Sequence, residues 1–191
     1  MDSIIHERKN NIHWVVLNCP PSNALAFSSL MYLQDVLDEV EEDKEAQCLV
    51  IASCTNDFCV GANVIDTQSY WATGAKGVLS KLESLIKPSL VAVNGHANGF
   101  GFALALSCDY RYAGSDASFV TSDKAFNFAN DCQYGWNLSR SIRNFNLANV
   151  QNRDSWTAKE ALELGIVSDV FDNDLLIDRV EEIAISLPVP G

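Results

Sequence analysis

The sequence predicts an α/β fold. Residues 90–93 (LVAV) have the character of a buried strand, and a glycine-rich turn over residues 94–101 connects them to an apolar helix starting near Phe102. Residues 26–43 carry apolar side chains at three- and four-residue steps, which is typical of an amphipathic helix. Residues 47–53 are almost continuously apolar, as expected of a strand buried on both faces. Strands and helices that alternate in this way indicate crossover connections.

The chain begins with a predicted β-hairpin. Its strands are expected at residues 4–6 and 12–17, on either side of the turn-like segment RKNN. Two consecutive prolines, at 20 and 21, then end regular structure because neither can donate to a β-ladder. Ser22 or Asn23 is a candidate N-cap for the helix that follows, whose outer face is acidic.

In the middle of the chain, the sequence predicts a continued alternation of strands and helices. The strand over residues 47–53 is followed by a loop (CTNDFCVG), and the later elements follow the same hydrophobic periodicity. They are helices at 62–68 and 70–85, the strand at 90–93, the helix from Phe102 to about residue 107, a strand at 110–113 and a short strand at 118–119.

The pattern weakens between residues 121 and 153 and becomes clear again at Thr157. Thr157 and Glu160 have the spacing of a capping box, which predicts a helix over residues 158–164. A strand at 166–171 and an amphipathic helix at 175–187 complete the chain. Because no linker-like composition interrupts the pattern, residues 1–191 are predicted to form a single domain.

The composition excludes several classes of protein. The 191 residues are 48% hydrophobic and 20% charged, which fits a globular chain. A formal net charge of −12 argues against nucleic-acid binding, which needs a basic face. We find no apolar signal-peptide core and no run near the length of about 18 apolar residues that a membrane span needs. The six cysteines have irregular spacing without a C-x-x-C pair, which favours reduced thiols and a cytoplasmic location.

The glycine-rich turn is the main candidate for chemistry. A strand that leads through glycines into a helix presents backbone N–H groups that can bind a phosphate or a developing oxyanion. A G-x-G-x-x-G fingerprint fails because Leu104 stands at its last position, and the turn lacks the lysine of a P-loop. No G-x-S-x-G elbow exists, and the three histidines show no metal-ligand spacing, so no metal site is predicted. His96 is expected to pack in the loop.

Four short motifs stand in order along the chain. They are PSNAL at residues 21–25, FCVGA at residues 58–62, VNGHANGFG at residues 93–101 with Cys108-Asp109 after it, and the segment from Thr157 to Val167. Together they resemble the crotonase family, the enoyl-CoA hydratase and isomerase superfamily. In that family the corresponding segments are P-x-N-A-L, F-C/S-A-G-A-D, V-N-G-x-A-x-G-G-G followed by C-D, and S/T-A-x-E-A…G-L-V.

The resemblance implies a crotonase-like spiral of ββα units that binds an acyl thioester of coenzyme A or of a carrier protein, with no further cofactor. Family members hold the thioester carbonyl between two backbone N–H groups, which by position belong here to Ala62 and Phe100. The thioester contacts implied by position are Ala24, Cys59, Gly61, Ala62, Gly99 and Phe100. Asp109, in the C-D pair, is expected to be structural.

The sequence departs from the family at the catalytic positions. Phe100 replaces the middle glycine of G-G-G, so its ring must either pack sideways or fill part of the pocket. The first carboxylate of the family's hydratases is replaced by Ala103, which cannot transfer a proton. The second falls on Asp123, which is either the base or a surface residue. Asp66 and Asp131 are the remaining acids that could reach a pocket.

Two further departures from the family lie outside the catalytic positions. The family's P-G-x-G-G segment is replaced by NDCQY at residues 130–134, and family members continue beyond residue 191 into helices that help to build trimers. Either the protein is a shortened, crotonase-like member of the family, or that tail lies outside this sequence, so a homo-oligomer stays an open alternative. Two functions remain in competition. One is an enzyme of enolate chemistry, of the enoyl isomerase or atypical hydratase type, and the other is a non-catalytic crotonase-fold binding or assembly partner.

Overall fold

The computed structural model describes residues 4–63, 68–121 and 155–188. The strands are β1 (Ile4–Lys9), β2 (Ile12–Leu17), β3 (Ala24–Leu25), β4 (Cys48–Ser53), β5 (Gly61–Ala62), β6 (Ser89–Val93), β7 (His96–Asn98), β8 (Tyr110–Gly114), β9 (Ser118–Val120), β10 (Ser155–Thr157) and β11 (Asp169–Phe171). The helices are α1 (Phe27–Glu42), α2 (Gln68–Ser84), α3 (Phe100–Leu106), α4 (Ala158–Glu163) and α5 (Leu176–Ser186), with a 3₁₀ turn at Asn173–Leu175 before α5.

The largest sheet has the strand order β1-β2-β4-β6-β8-β11. The β1–β2 pair is antiparallel, and all other neighbours in this sheet are parallel, as the alternating pattern predicted. Asn10 and Asn11 have φ angles of 54° and 61°, so they form the tight turn of the hairpin and let β1 continue to Lys9. The α/β prediction is confirmed.

The large sheet is covered on both faces. Leu49 and Ile51 of β4 belong to a core cluster shared with α1 and α2, whereas Cys48 and Val50 belong to a second cluster shared with α5. Successive side chains of a strand point to opposite faces, so a strand covered on both sides has to be apolar throughout. This explains why β4 and β6 were recognisable from sequence.

Two smaller sheets position the functional region. β3 and β5 form a parallel pair, and β7, β9 and β10 form a three-stranded sheet in the order β10-β9-β7. β7 lies inside the segment predicted as a glycine turn, so α3 begins at Phe100 rather than near Phe102. The helix predicted over residues 62–68 does not begin at residue 62, because Ala62 belongs to β5, and residues 64–67 of this prediction lie outside the described residues.

In the C-terminal part of the chain, the predicted helix cap is confirmed, whereas the predicted strand is shorter in the structure. Thr157 and Glu160 form the predicted capping box, with the Glu160 N–H donating to the Thr157 hydroxyl at 3.3 Å. The strand predicted over residues 166–171 is confined to β11, because only its last three residues pair with β8. None of the described helices has the length and apolar character needed to cross a membrane.

Candidate functional site

The loop that leaves β4 is held against β7 by two backbone hydrogen bonds. The Cys59 N–H donates to the His96 carbonyl at 3.1 Å, and the Asn98 N–H donates to the Cys59 carbonyl at 2.9 Å. Together they form an isolated parallel bridge between Cys59 and Ala97. The loop therefore lies in a defined register beside the strand that leads into α3.

The first turn of α3 touches the same loop. A Cβ on Gly101 would lie 2.1 Å from the Cys59 carbonyl oxygen and 2.7 Å from the Cys59 Cβ. Since real Cβ atoms do not approach other atoms this closely, a glycine is required for the loop and the helix to pack at this distance.

Gly99 sets the direction in which α3 begins. Its φ of 53° and ψ of −116° are a combination that residues with a Cβ avoid. Its N–H donates to the Val120 carbonyl at 3.1 Å, which ties the start of the helix to β9. Phe100 is consequently the first residue of α3, and its N–H lies at the N-terminal end of the helix.

Ala62 is held by the β3–β5 pair. Leu25 lies opposite Ala62 in this pair, and its carbonyl accepts hydrogen bonds from the Asn63 N–H at 2.9 Å and the Trp71 Nε1–H at 2.7 Å. A buried tryptophan of α2 therefore supports the backbone beside Ala62.

Asn23 joins β3 to the loop that follows β4. Its side chain is fully buried, and its Oδ1 accepts a hydrogen bond from the Cys19 N–H at 2.6 Å. The Nδ2 group lies within hydrogen-bond distance of Ser53 Oγ, Thr55 Oγ1 and the carbonyl oxygens of Asp57 and Phe58. Asn23 is thus a loop anchor and not the N-cap of α1, a position that Ala26 occupies without a side-chain bond.

The Phe100 side chain packs into the main core. Its ring is 1% exposed and meets Trp71 edge to face, with 5.3 Å between ring centroids and 79° between planes. Of the two alternatives for this residue, the structure favours sideways packing. The same Trp71 bonds the carbonyl of Leu25, so the ring of Phe100 and the backbone beside Ala62 share one support.

The remaining predicted contacts differ in what they can offer a ligand. Ala24 and Gly61 lie opposite each other in the β3–β5 pair, and Gly99 precedes Phe100. Cys59 is fully buried, and its Sγ–H donates to the Asn23 carbonyl at 3.1 Å. Burial raises the pKa of the Cys59 thiol to about 12, so it stays protonated and only its backbone is available.

The acidic residues fall into two groups. Asp109 accepts hydrogen bonds from the Ser89 N–H at 2.9 Å and the Ser89 hydroxyl at 2.8 Å, which confirms its structural role at the start of β6. Asp123, Asp66 and Asp131 lie outside the described residues. Ala103 is buried in α3, where the family's first carboxylate is expected.

Sequence reasoning missed two features of this region. Trp71 carried no signal beyond its place in an amphipathic helix, although it supports both predicted donor segments. His96 was expected to pack in a loop, but it lies in β7 with an exposed ring, and its Nδ1 is 2.5 Å from the Ser118 Oγ. The pairing of β7 with β9 places His96 opposite Ser118.

Comparison with known proteins matches residues 7–187 to the enoyl-CoA hydratase/isomerase family. The short-chain-enoyl-CoA hydratase of Clostridium acetobutylicum is 30% identical, over 96% of this chain and 74% of the relative. The 1,2-epoxyphenylacetyl-CoA isomerase of Escherichia coli K12 is 29% identical, over 96% of this chain and 75% of the relative. An enoyl-CoA hydratase structure from Bacillus anthracis is similar with a TM-score of 0.87 and 24% identity, covering 96% of this chain and 75% of that one.

The architecture is therefore that of a crotonase-fold α/β protein. The chain belongs to the enoyl-CoA hydratase/isomerase family, which confirms the resemblance carried by the four motifs. It is an enoyl-CoA hydratase/isomerase-like enzyme, and membership supports acyl-CoA binding and catalysis at the level of the superfamily. The similar proteins include both a hydratase and an isomerase, so the type of reaction has to be argued from the residues.

Proposed function

We propose that this chain binds an acyl thioester, of coenzyme A or of a carrier protein, and stabilises the enolate formed from it. One observation carries the proposal: the loop before Ala62 and the helix that begins at Phe100 are in direct backbone contact through Cys59 and Gly101. Donors on two segments that cannot move independently can be aimed at a single oxygen atom. The thioester carbonyl oxygen is the atom that gains charge in such a reaction.

In this proposal the N–H groups of Ala62 and Phe100 are the oxyanion donors. When a carbon next to the carbonyl, or conjugated with it, loses a proton, the electron pair moves towards the carbonyl oxygen. Donors already in place stabilise that charge, and the loss of one such donor typically costs about 3 kcal/mol in the activation barrier. Because only a proton is transferred, the chemistry needs no cofactor besides the thioester substrate.

Asp123 is the proposed base. Its carboxylate takes a proton from one carbon of the enoyl group to give a dienolate, and the resulting carboxylic acid returns a proton to another carbon. The double bond moves, and no water is consumed. With Ala103 at the other carboxylate position, a single group has to do all the proton transfer, which favours isomerisation. Hydration of an atypical kind is the alternative, in which the same carboxylate both activates water and supplies the proton.

The Trp71–Phe100 pair supports the backbone of the proposed donor. A phenylalanine at position 100 keeps its backbone N–H but puts a ring where glycine would leave space. Since the ring is buried in the core against Trp71, it packs beneath the helix start, and we propose that it fixes the position of the Phe100 backbone instead of contacting the acyl group.

The assignment of the base is tested by three asparagine substitutions measured in parallel. Asp123→Asn is expected to lower kcat at least about 100-fold with 2-enoyl and 3-enoyl thioesters, because general-base catalysis typically contributes that much or more. Asp66→Asn and Asp131→Asn serve as matched controls and are expected to retain near wild-type rates. If Asp123→Asn turns over enoyl thioesters as fast as the wild type, the role of Asp123 is wrong.

The competing function is that of a non-catalytic binding partner. A thermal-shift titration with acyl-CoAs and an acyl carrier protein, followed by assays of hydration and isomerisation, distinguishes it from the proposed enzyme. Binding with turnover supports the proposal. Binding without turnover on any enoyl thioester would contradict the enolate chemistry and favour the binding partner. An absence of binding to every thioester would contradict both.

A further inference from the structure

Four polar side chains meet between the β1–β2 hairpin and the C-terminal end of α1, on elements that carry neither Ala62 nor Phe100. His6 lies opposite Val15, and His13 lies opposite Arg8, so both histidines are on one face of the hairpin. Glu39 and Asp43 follow each other by four residues and face that surface from α1 and its C-cap. The pairing brings the histidines together although they are seven residues apart in sequence.

The two imidazole rings meet edge to edge. His6 Nε2 lies 2.9 Å from His13 Nδ1, the ring centroids are 5.1 Å apart, and the planes differ by 17°. A centroid separation this much larger than the nitrogen separation means that the two nitrogens face each other across the gap. Glu39 is the third member of the group, and its Oε2 lies 3.7 Å from His6 Nδ1, the ring nitrogen that does not face His13. One ligand atom from each of the three residues lies within 4.8 Å of the others.

His13 is oriented by a carboxylate behind it. Its Nε2 lies 2.9 Å from Asp43 Oδ2, which also accepts a hydrogen bond from Arg8 Nε at 2.7 Å. The Asp43 carboxylate oxygen accepts both hydrogen bonds, one from the Nε2–H of His13 and one from the Nε–H of Arg8. The hydrogen-bond network therefore assigns the proton of His13 to Nε2 and leaves the Nδ1 lone pair directed at His6.

We propose that His6, His13 and Glu39 form a binding site for a first-row transition-metal ion of the Zn²⁺ class. Two imidazoles and one carboxylate are a ligand set that Zn²⁺ uses, with water in the fourth position. A carboxylate behind a ligating histidine is the usual second partner in such sites. In this proposal the bound ion connects the β1–β2 hairpin to α1 and takes no part in the proposed thioester chemistry.

For an ion to enter, the His6 proton has to move from Nε2 to Nδ1, and the Glu39 carboxylate has to turn towards the two facing nitrogens. Zn–N bonds of about 2.0–2.1 Å place two tetrahedral ligands about 3.3 Å apart, so the facing nitrogens have to separate by a few tenths of an ångström. His13 is 1% exposed and fixed by Asp43, whereas the Glu39 side chain is 64% exposed and can change rotamer.

The test is a calorimetric titration of the untagged full chain with ZnCl₂, after removal of metal with a chelator. We expect one ion per chain at about pH 7.5, a rise in Tm, and clearly weaker binding at about pH 5.5, where imidazoles are protonated. His6→Gln is expected to weaken binding at least tenfold. Asp43→Asn keeps all three ligands and is expected to weaken it about 10- to 100-fold, as loss of a second-sphere carboxylate does.

His96→Gln is the matched control, because His96 is the third histidine of the chain and lies exposed on β7. It is expected to bind Zn²⁺ like the wild type. His6→Gln leaves the buried His13–Asp43 bond intact, so circular dichroism should show a folded chain. The proposal is overturned if the wild type shows no saturable binding of one ion, or if His6→Gln and His96→Gln bind Zn²⁺ equally well.

Discussion

The carbonyl oxygen of Cys59 lies 2.1 Å from the position that a Cβ on Gly101 would take. The same carbonyl accepts the Asn98 N–H at 2.9 Å, one residue before Gly99. The loop that precedes Ala62 and the turn that precedes Phe100 are therefore one packed unit of backbone. Any change that separates Cys59 from Gly101 should disturb both proposed donors at once.

Gly101→Ala is expected to destabilise the protein by at least about 2 kcal/mol, because the added methyl group collides with a backbone oxygen that cannot rotate away. Urea unfolding gives this value. Gly77→Ala in α2 is the matched control, since its Cβ would meet the end of the flexible Gln34 side chain at 2.8 Å, while alanine favours the helix by about 0.5–1 kcal/mol. Equal destabilisation by the two substitutions would show that the Cys59 contact is unimportant.

Asn23→Ala is expected to lower the free energy of unfolding by about 3 kcal/mol or more. It leaves buried hydrogen-bond partners unsatisfied, and it places alanine at a φ of 54°, which by itself costs about 1–2 kcal/mol. Asn23→Gly removes the same hydrogen bonds without the conformational cost, so it should be the less destabilising of the two. Chemical denaturation of both variants separates the contributions, and a loss below about 1 kcal/mol in each would argue against Asn23 as a loop anchor.

Phe100→Pro isolates the backbone donor. Proline at the first position of a helix is tolerated because that position makes no intrahelical N–H bond, yet it removes the N–H proposed to face the thioester. Phe100→Ala keeps the N–H and removes the ring, so it reports the effect of the lost packing on Trp71. We expect kcat to fall about 100- to 1000-fold further in Phe100→Pro than in Phe100→Ala. Equal rates in the two variants would contradict the donor role of position 100.

The hydrogen bonds of Asp43 with His13 and Arg8 predict a specific pH dependence of stability. The pKa of Asp43 is lowered from 3.8 to about 2, so its contribution is fully present above about pH 4 and is lost as the pH falls towards 2. Asp43→Asn should therefore lower Tm near neutral pH, and its deficit relative to the wild type should shrink between about pH 4 and pH 2. Glu45→Gln, which removes the other carboxylate on Arg8, shows what the loss of a neighbouring surface charge contributes. A deficit that does not change with pH would contradict the lowered pKa of Asp43.

The parts of the fold that were predictable from sequence are those that local pattern determines. β4 and β6 are apolar along their whole length because both faces of the large sheet are covered, and the capping box at Thr157 involves residues only three apart. Family membership was recognisable because glycine at 101 and asparagine at 23 each meet a steric or hydrogen-bonding requirement that few other residues satisfy.

The parts that were missed depend on contacts between distant segments. β5 and β7 are two and three residues long, and they exist only because β3 and β9 lie beside them. The His6–His13 contact follows from the register of the hairpin, which residue spacing alone does not reveal. The sideways packing of Phe100 likewise required the position of Trp71 on another helix.

The central claim, that the N–H groups of Ala62 and Phe100 polarise a thioester carbonyl, is tested most directly by isotope-edited infrared difference spectroscopy. An enoyl-CoA labelled with ¹³C at the carbonyl is bound to Asp123→Asn, which prevents turnover, and its C=O stretch is compared with that of the free thioester in water. The account predicts a clear shift to lower frequency, reduced when Phe100→Pro is added and preserved when Phe100→Ala is added. A bound carbonyl that absorbs at the same frequency as the free thioester would contradict it.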